Sequence, residues 1–269
     1  MEKEVNKYKS NESYFFFVIL IIGDIMDRLS ELMLSGKNIV VITGAGISTL
    51  SGIPDFRGKN GLYTKGNNVE YMLSRECFVE TPDDFYEYYI NNMIMKGMEP
   101  NIVHSTLAEL EQRGYVSCVI TQNIDNLHQK AGSKNVIDIH GNGDKYYCTS
   151  CKQSYSVDTY QESNVCNICG GTIRPDVVLY GEMLDSEKVH KALEAVYNAD
   201  AMVVLGTSLQ VSTAGSLVQE FIRVKGESFD SNNLIIVNDQ ATPYDNYADK
   251  INDDLGMVFT KVRKDTIKE

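Results

Sequence analysis

Short runs of apolar residues alternate along the chain with segments whose apolar residues recur at helical spacing. The runs predict buried strands over residues 38–43, 115–121, 136–139, 201–206 and 234–237, with a last strand near 257–260. The helical spacing predicts helices over residues 24–34, 83–95, 103–112, 186–197 and 212–224. Strands that alternate with helices are typical of a parallel sheet covered on both faces. We therefore expect an α/β fold built on a doubly wound, Rossmann-like sheet.

Two stretches interrupt this alternation and predict inserted modules. A glycine-rich, aromatic stretch over residues 60–100 predicts a helical module. Between Cys148 and Cys169 the periodicity disappears, as expected where a metal ion takes the place of an apolar core. We expect a small zinc-ribbon module over residues 141–173, and a Rossmann-like domain formed by residues 24–140 and 174–262.

The first 23 residues carry a short apolar run. Residues 14–22 are all apolar, which is less than half of the roughly 20 residues that a membrane-spanning helix needs. The lysines and glutamates before the run balance, and no small-residue cleavage motif follows it. We interpret residues 1–23 as an extension outside the domain core. A segment packed on the domain and a membrane or targeting role remain alternatives.

Composition narrows the classes of partner. The 269 residues include 25 Lys and Arg against 37 Asp and Glu, which gives a net charge of −12. An acidic surface repels phosphate backbones and attracts cationic, lysine-rich proteins, so we expect no direct nucleic-acid partner. We also expect no membrane association. Six cysteines are too few for a disulfide scaffold, and their pairing favours metal binding in a cytoplasmic protein.

Four cysteines predict a metal site. Cys148 and Cys151 form one C-x-x-C pair, and Cys166 and Cys169 form a second pair fourteen residues later. Four thiolates can close a tetrahedron around zinc with no open position, so such an ion supports the fold and does not activate water. Another metal, a redox pair and free thiols are the alternatives. The remaining cysteines are expected to be ordinary core or surface residues.

Polar residues follow several predicted strands directly, at the edge where open α/β sheets bind ligands. The loop Gly44-Ala45-Gly46 lets the backbone approach a pyrophosphate, although Thr49 holds the place of the third glycine and a simple tight turn is the alternative. The other polar ends are Gln122, Asn123 and Asp125, then Gly206, Thr207 and Ser208, and finally Asn238. Any one of them could cap a loop, but together they favour a dinucleotide lying across the sheet edge.

His140 is the histidine with the most suggestive position. It lies at the end of a predicted strand, where a neutral imidazole can act as a general base near neutral pH. A structural imidazole that caps a loop is the alternative. The other three histidines, His104, His128 and His190, fall within predicted helices and are interpreted as structural.

Taken together, these motifs closely resemble the sirtuins, a family of NAD-dependent protein-lysine deacylases, in their bacterial type with a four-cysteine zinc module. The matching strings are GAGISTLSGIPDFRG over residues 44–58, TQNID over 121–125, HG at 140–141, the four cysteines and GTSL over 206–209. They occur in the family's order and spacing. The resemblance covers residues 24–260.

The resemblance implies a role for each matching residue. His140 would be the base that removes a proton from a ribose hydroxyl of NAD, and Asn123 would assist catalysis. The implied cofactor contacts are Gly44, Ala45, Gly46, Thr49, Asp55, Phe56, Arg57, Gln122, Asn123, Ile124, Asp125, His140, Gly206, Thr207, Ser208, Asn238 and Leu255. The segment RPDVVLYGE over residues 174–182 resembles the family's substrate strand, in which Val178, Tyr180 and Gly181 would flank the acyl-lysine.

The implied reaction is transfer of an acetyl group from acetyl-lysine to ADP-ribose. It releases nicotinamide and leaves O-acetyl-ADP-ribose and free lysine, so NAD is a co-substrate and an acetyl-lysine protein or peptide is the partner. Relatives that remove succinyl groups share Tyr89 but carry an arginine where this chain has Asn92, which favours a neutral acyl group. Leu179 replaces the usual aromatic residue of the substrate strand. ADP-ribosyl transfer or NAD hydrolysis, and a binding module without turnover, are the competing hypotheses.

Overall fold

The computed structural model describes residues 27–55, 61 and 68–267. Its centre is a parallel sheet of six strands, β1 (Ile39–Thr43), β2 (Cys118–Thr121), β3 (Val136–Asp138), β7 (Ala201–Leu205), β8 (Leu234–Val237) and β9 (Asp249–Ile251). Their order across the sheet is β3-β2-β1-β7-β8-β9. Strand order reverses between β1 and β7, so the crevice at their carboxyl ends is the place where this architecture binds ligands.

Helices cover both faces of this sheet because the residues of each buried strand alternate between two cores. In β1, Ile39 and Val41 belong to one core, whereas Val40 and Ile42 belong to the other. The first core is closed by helical residues 27–33 and by helices Ile102–Gln112 and Leu255–Thr266. The second core is closed by helices Ser186–Asn198 and Ser212–Lys225.

A second, smaller sheet stands beside the first. It is antiparallel, with the order β5-β4-β6, and consists of β4 (Gly141–Cys148), β5 (Ser154–Tyr155) and β6 (Ile173–Val177). An aromatic core joins it to the insert before residue 100. Helices Val69–Met72, Arg75–Glu80 and Pro82–Asn92 form that insert, and Leu127–Lys130 and Val157–Glu162 are the remaining short helices.

Most of the predicted elements are confirmed, with ends that shift by a few residues. The last predicted strand is wrong, because residues 257–260 lie within a helix. Asp254 caps that helix by accepting a hydrogen bond from the Met257 backbone at 3.0 Å, and its buried residues then recur at helical spacing. Strands β4, β5 and β9 were not predicted. The proposed extension over residues 1–23 lies outside the described residues, and the module boundaries stay a prediction.

No helix among residues 27–55, 61 and 68–267 is long and apolar enough to cross a membrane.

Two buried histidines lie beneath the ligand edge of the sheet. The His128 Nε2 atom is 3.0 Å from the Thr43 hydroxyl at the end of β1, and Nδ1 of His104 accepts a hydrogen bond from the Asn101 backbone. The two rings meet edge to face, with centroids 4.9 Å apart. Burial lowers the pKa of His104 to about 4, and burial with the neighbouring His104 charge lowers the pKa of His128 to about 3. Both histidines are therefore structural and neutral in the folded protein.

We predict that this pair makes the fold sensitive to acid. Both folded pKa values lie below the unfolded value of 6.5, so the stability is present above pH 6.5 and is lost as the pH falls toward the folded values. At pH 5 the loss is about 2 kcal/mol for each imidazole. Denaturant unfolding followed by circular dichroism between pH 7 and 5 measures it. His128→Gln should flatten this dependence, and the exposed control His190→Gln should not. An equally steep dependence in His128→Gln would contradict the prediction.

Candidate active site

The polar strand ends line one cavity of about 730 Å³ at the carboxyl edge of the large sheet. Gly44 follows β1, Gln122 follows β2, Gly206 follows β7 and Asn238 follows β8, and all four residues line the cavity. The structure thus brings these four strand ends together at one cavity. The cavity spans the switch point between β1 and β7, where a dinucleotide would lie across the sheet.

The glycines of the first loop allow two loops to touch across this switch point. The Gly46 amide donates a hydrogen bond to the Gly206 carbonyl at 2.8 Å. A Cβ atom on Gly44 would lie 2.6 Å from the Thr207 Cβ, and one on Gly46 would lie 2.8 Å from the Gly206 Cα. Neither position can hold a side chain without backbone movement. The loops that follow β1 and β7 can therefore pack directly against each other at the base of the cavity.

Amide and carboxylate groups form a buried network at one end of the cavity. The Asn123 side chain donates hydrogen bonds to the Gly44 carbonyl and to the Ser48 hydroxyl, both at 3.1 Å. The Ser48 hydroxyl in turn donates to Asp125 at 2.6 Å. Burial raises the pKa of Asp125, although its hydrogen bonds from Ser48 and from the Leu127 backbone act in the opposite direction. This network can recognise a carboxamide group, which both donates and accepts.

His140 lies between the polar network and the small sheet. Its Nδ1 atom is 3.0 Å from the Gln122 carbonyl oxygen. Since a carbonyl only accepts, Nδ1 carries the proton in the neutral ring, and Nε2 is left as the basic nitrogen. Burial lowers the pKa of His140, and the hydrogen bond with Gln122 offsets part of that effect. The ring is therefore neutral and able to accept a proton at pH 7.

The predicted substrate segment runs directly past His140. Val178, Tyr180 and Gly181 all line the cavity. The Val178 amide donates to the His140 carbonyl at 2.9 Å, which fixes the segment beside the histidine. On its other side Tyr180 forms a parallel bridge with residues 73–75 of the helical insert. The segment is thus held in an extended conformation between His140 and the helical insert.

An apolar chamber opens from the same cavity, and most of its residues were not predicted from sequence. Its walls come from loops, from the end of β6 and from the helical insert: Ile53, Leu73, Tyr89, Met93, Ile94, Met95, Met98, Val177 and Leu179. Buried methionine and leucine side chains are ordinary core residues in sequence, so no local signal distinguishes them. Ser48 was also missed, although its place within the glycine-rich loop was a usable signal.

Two of the predicted cofactor contacts lie among the described residues but do not line this cavity. Among the described residues, the lining does not include Thr49, whose hydroxyl donates to the Gly46 carbonyl within its own turn. Nor does it include Leu255, which packs against the first core at the start of the last helix. Phe56 and Arg57 lie outside the described residues. The lining residues among the prediction are Gly44, Ala45, Gly46, Asp55, Gln122, Asn123, Ile124, Asp125, His140, Gly206, Thr207, Ser208 and Asn238.

The four cysteines cluster at the far end of the small sheet. The sulfurs of Cys148 and Cys169 are 3.5 Å apart, those of Cys151 and Cys166 are 3.6 Å apart, and all four lie within 4.8 Å of one another. Zinc–sulfur bonds of about 2.3 Å in a tetrahedron place the sulfurs about 3.8 Å apart. The donor set and its spacing therefore fit a zinc ion. The chemistry of four thiolates fits a structural role.

Comparisons with known proteins agree with this geometry. The sequence model of the Sir2 family matches residues 44–213. An NAD-dependent protein deacetylase of Clostridium acetobutylicum is 41% identical over 252 residues, covering 90% of this chain and 100% of the relative. One from Staphylococcus aureus strain N315 is 41% identical over 240 residues, covering 87% of this chain and 96% of the relative.

Solved structures give the same result. A Sir2 variant with deacetylated p53 peptide and 3'-O-acetyl ADP-ribose superposes with a TM-score of 0.82 at 38% identity, covering 89% of this chain and 97% of that one. A complex of Sir2 with p53 peptide and NAD⁺ superposes with a TM-score of 0.79, also at 38% identity, with the same coverage. On the family match, the sequence identity and the shared fold, this chain belongs to the Sir2 family.

Proposed function

We propose that this protein is an NAD-dependent protein-lysine deacetylase. It transfers the acetyl group of acetyl-lysine to ADP-ribose, and the products are nicotinamide, O-acetyl-ADP-ribose and deacetylated lysine. The observation that carries the proposal is the position of His140, which lies between the polar strand ends and the extended segment at Val178. That position brings a base to a nucleotide and an acyl-lysine at the same time. The reaction is an acyl transfer, so the proposed class is acyltransferase.

His140 is the proposed general base. Because Nδ1 donates to the Gln122 carbonyl, the Nε2 lone pair is available to take a proton from a ribose hydroxyl. NAD, when bound, supplies the ribose that receives the acetyl group and loses nicotinamide. Asn123 is the proposed second catalytic residue, since its side chain is held by Gly44 and Ser48 at the same end of the cavity.

The remaining strand ends are proposed to hold NAD. Gly44 and Gly46 lie in the loop after β1 and Gly206 lies directly after β7, and these glycines are proposed to let the backbone approach its phosphates closely. The Asn123, Ser48 and Asp125 network suits the nicotinamide carboxamide. Thr207, Ser208 and Asn238 are proposed for the adenosine half, because they follow the strands on the other side of the switch point. Asp55 and Ile124 complete the proposed contacts within the cavity.

The substrate is proposed to be a protein or peptide that carries a neutral acyl-lysine. Val178, Tyr180 and Gly181 would receive its backbone, as in recognition by strand addition. No Lys or Arg is among the described residues that line the cavity, whereas Asp55, Asp125 and Asp239 are. An acidic acyl group would therefore meet carboxylates and no cation, which favours acetyl. We further propose a cytoplasmic enzyme without a direct nucleic-acid partner.

The four cysteines are proposed to hold one structural zinc ion. The ion would link the end of β4 to the segment that leads into β6, since Cys148 ends β4 and Cys169 lies shortly before β6. Strand β4 begins directly after His140, and strand β6 ends directly before Val178. The zinc would thus support the site through the backbone and take no part in the reaction.

The first prediction from the proposed function tests the reaction. Nicotinamide release from NAD should depend on an acetyl-lysine peptide, and His140→Ala should lower its rate by about 10²- to 10⁴-fold, the usual contribution of a placed base. The matched control is His190→Ala, which removes an exposed histidine and should leave the rate unchanged. Release that needs no peptide would instead indicate NAD hydrolysis. Bound NAD without any release would indicate a binding module.

The second prediction concerns pH. The base form of His140 is required, and burial lowers its pKa below 6.5, so kcat/KM should fall as the pH drops, with a midpoint below 6.5. Peptide-dependent nicotinamide release measured from pH 4.5 to 8 gives the midpoint. Circular dichroism at each pH separates this loss from acid unfolding. A midpoint above 6.5 would contradict the assignment.

The third prediction concerns the metal. Atomic emission analysis should find one zinc per chain, and a strong chelator should lower both the melting temperature and the activity, with recovery when zinc is returned. Cys169→Ala should act like the chelator. The control is Cys118→Ala, which removes a buried thiol of the large sheet that lies outside the cluster. Full activity after complete zinc removal would contradict the structural role.

A further inference from the structure

A partly buried ion pair, Arg174 with Glu182, brackets the proposed substrate segment. The guanidinium donates two hydrogen bonds to the carboxylate, at 2.7 Å and 2.9 Å. The two side chains are only 10% and 20% exposed. Two parallel hydrogen bonds in this fork geometry fix direction as well as distance. The two residues therefore hold fixed positions at the two ends of residues 174–182.

Each partner also bonds to the backbone between them. The Arg174 guanidinium donates to the Val177 carbonyl at 2.8 Å. The Glu182 carboxylate accepts from the Leu179 amide at 3.0 Å. Together with the bond from Val178 to His140, these contacts fix three consecutive residues of the segment.

The pair also connects the segment to the helical insert. The Arg174 guanidinium lies 5.0 Å from the centre of the Phe78 ring, and Tyr180 pairs with the backbone of residues 73–75. Partial burial acts to raise the pKa of Glu182, but the hydrogen bond from Arg174 outweighs it and the pKa is lowered. The carboxylate is therefore ionised across the working pH range.

A partly buried ion pair is a costly way to gain stability, because desolvation offsets most of the attraction. What this pair supplies, and an apolar pair could not, is two directed bonds to the Val177 and Leu179 backbone. We propose that Arg174 and Glu182 are positioning residues that preorganise residues 177–182 to receive the acyl-lysine peptide. This inference rests on the proposed function, since it assigns the segment to the peptide.

Glu182→Gln tests it. The glutamine amide cannot accept both hydrogen bonds from the guanidinium, so the segment should become less ordered in the free protein. Binding of the peptide must then order it, and this lowers the binding free energy. We expect the dissociation constant of a fluorescein-labelled acetyl-lysine peptide, measured by anisotropy, to rise about tenfold, which corresponds to the cost of ordering about one backbone residue. The dissociation constant of NAD, measured by calorimetry, should change less than about twofold, because none of these bonds reaches the NAD half of the cavity.

The matched control is Glu220→Gln. Glu220 also holds an arginine, Arg223, by two hydrogen bonds, but on helix Ser212–Lys225 and not at the substrate segment. The Glu220→Gln substitution changes the net charge by the same amount as Glu182→Gln. It should leave the dissociation constants of both the peptide and NAD unchanged. If Glu182→Gln fails to fold, Arg174→Lys keeps the positive charge while losing the fork, and the same split between peptide and NAD is expected.

Two results would overturn the inference. One is an unchanged peptide affinity in a variant that is folded and zinc-loaded. The other is an equal loss of peptide and NAD affinity, which would show a general loosening of the fold. Both results differ from a failure of the proposed function. In that case the wild-type protein itself would bind no acetyl-lysine peptide, and the inference about Arg174 and Glu182 would fail with it.

Discussion

The hydrogen bond from the Val178 amide to the His140 carbonyl is the contact on which the arrangement of the site depends. It lies where the chain leaves the large sheet and enters the small one. The next residue, Gly141, faces Val177 across the small sheet with a φ of +93°, and a Cβ there would lie 2.2 Å from the Asp176 carbonyl oxygen. Only glycine fits so close an approach. The proposed base and the proposed substrate segment are therefore neighbours through backbone alone.

The two sheets contribute different things to this junction. The large sheet, covered on both faces, supplies polar strand ends at fixed parallel register. The small sheet cannot bury a comparable core, and its cysteines and its aromatic contacts with the helical insert take that place. Polar bonds then orient the loops between them. The Asn123 and Ser48 contacts do this on one side of the cavity, and the Arg174 and Glu182 contacts on the other.

Much of this was predictable from sequence because the signals are local. Short apolar runs indicate buried strands, and the spacing of cysteines indicates a set of metal ligands. A glycine beside a strand end indicates that another backbone segment or a ligand approaches closely. The last predicted strand failed for the same reason: residues 257–260 look apolar in isolation, and the cap at Asp254 that begins a helix was overlooked. The apolar chamber and the bond between Arg174 and Glu182 were not predictable, since their members come together only through the tertiary fold.

The crossing between the two sheets has a mechanical consequence. The chain passes from one sheet to the other at residues 140–141, and returns at 177–178, and these two crossings are bonded side by side. The backbone at these crossings, and no side chain of the cavity, sets the distance between residues 140 and 178. A substitution elsewhere in the cavity lining can therefore change the room left for a substrate without moving the proposed base away from the strand beside it.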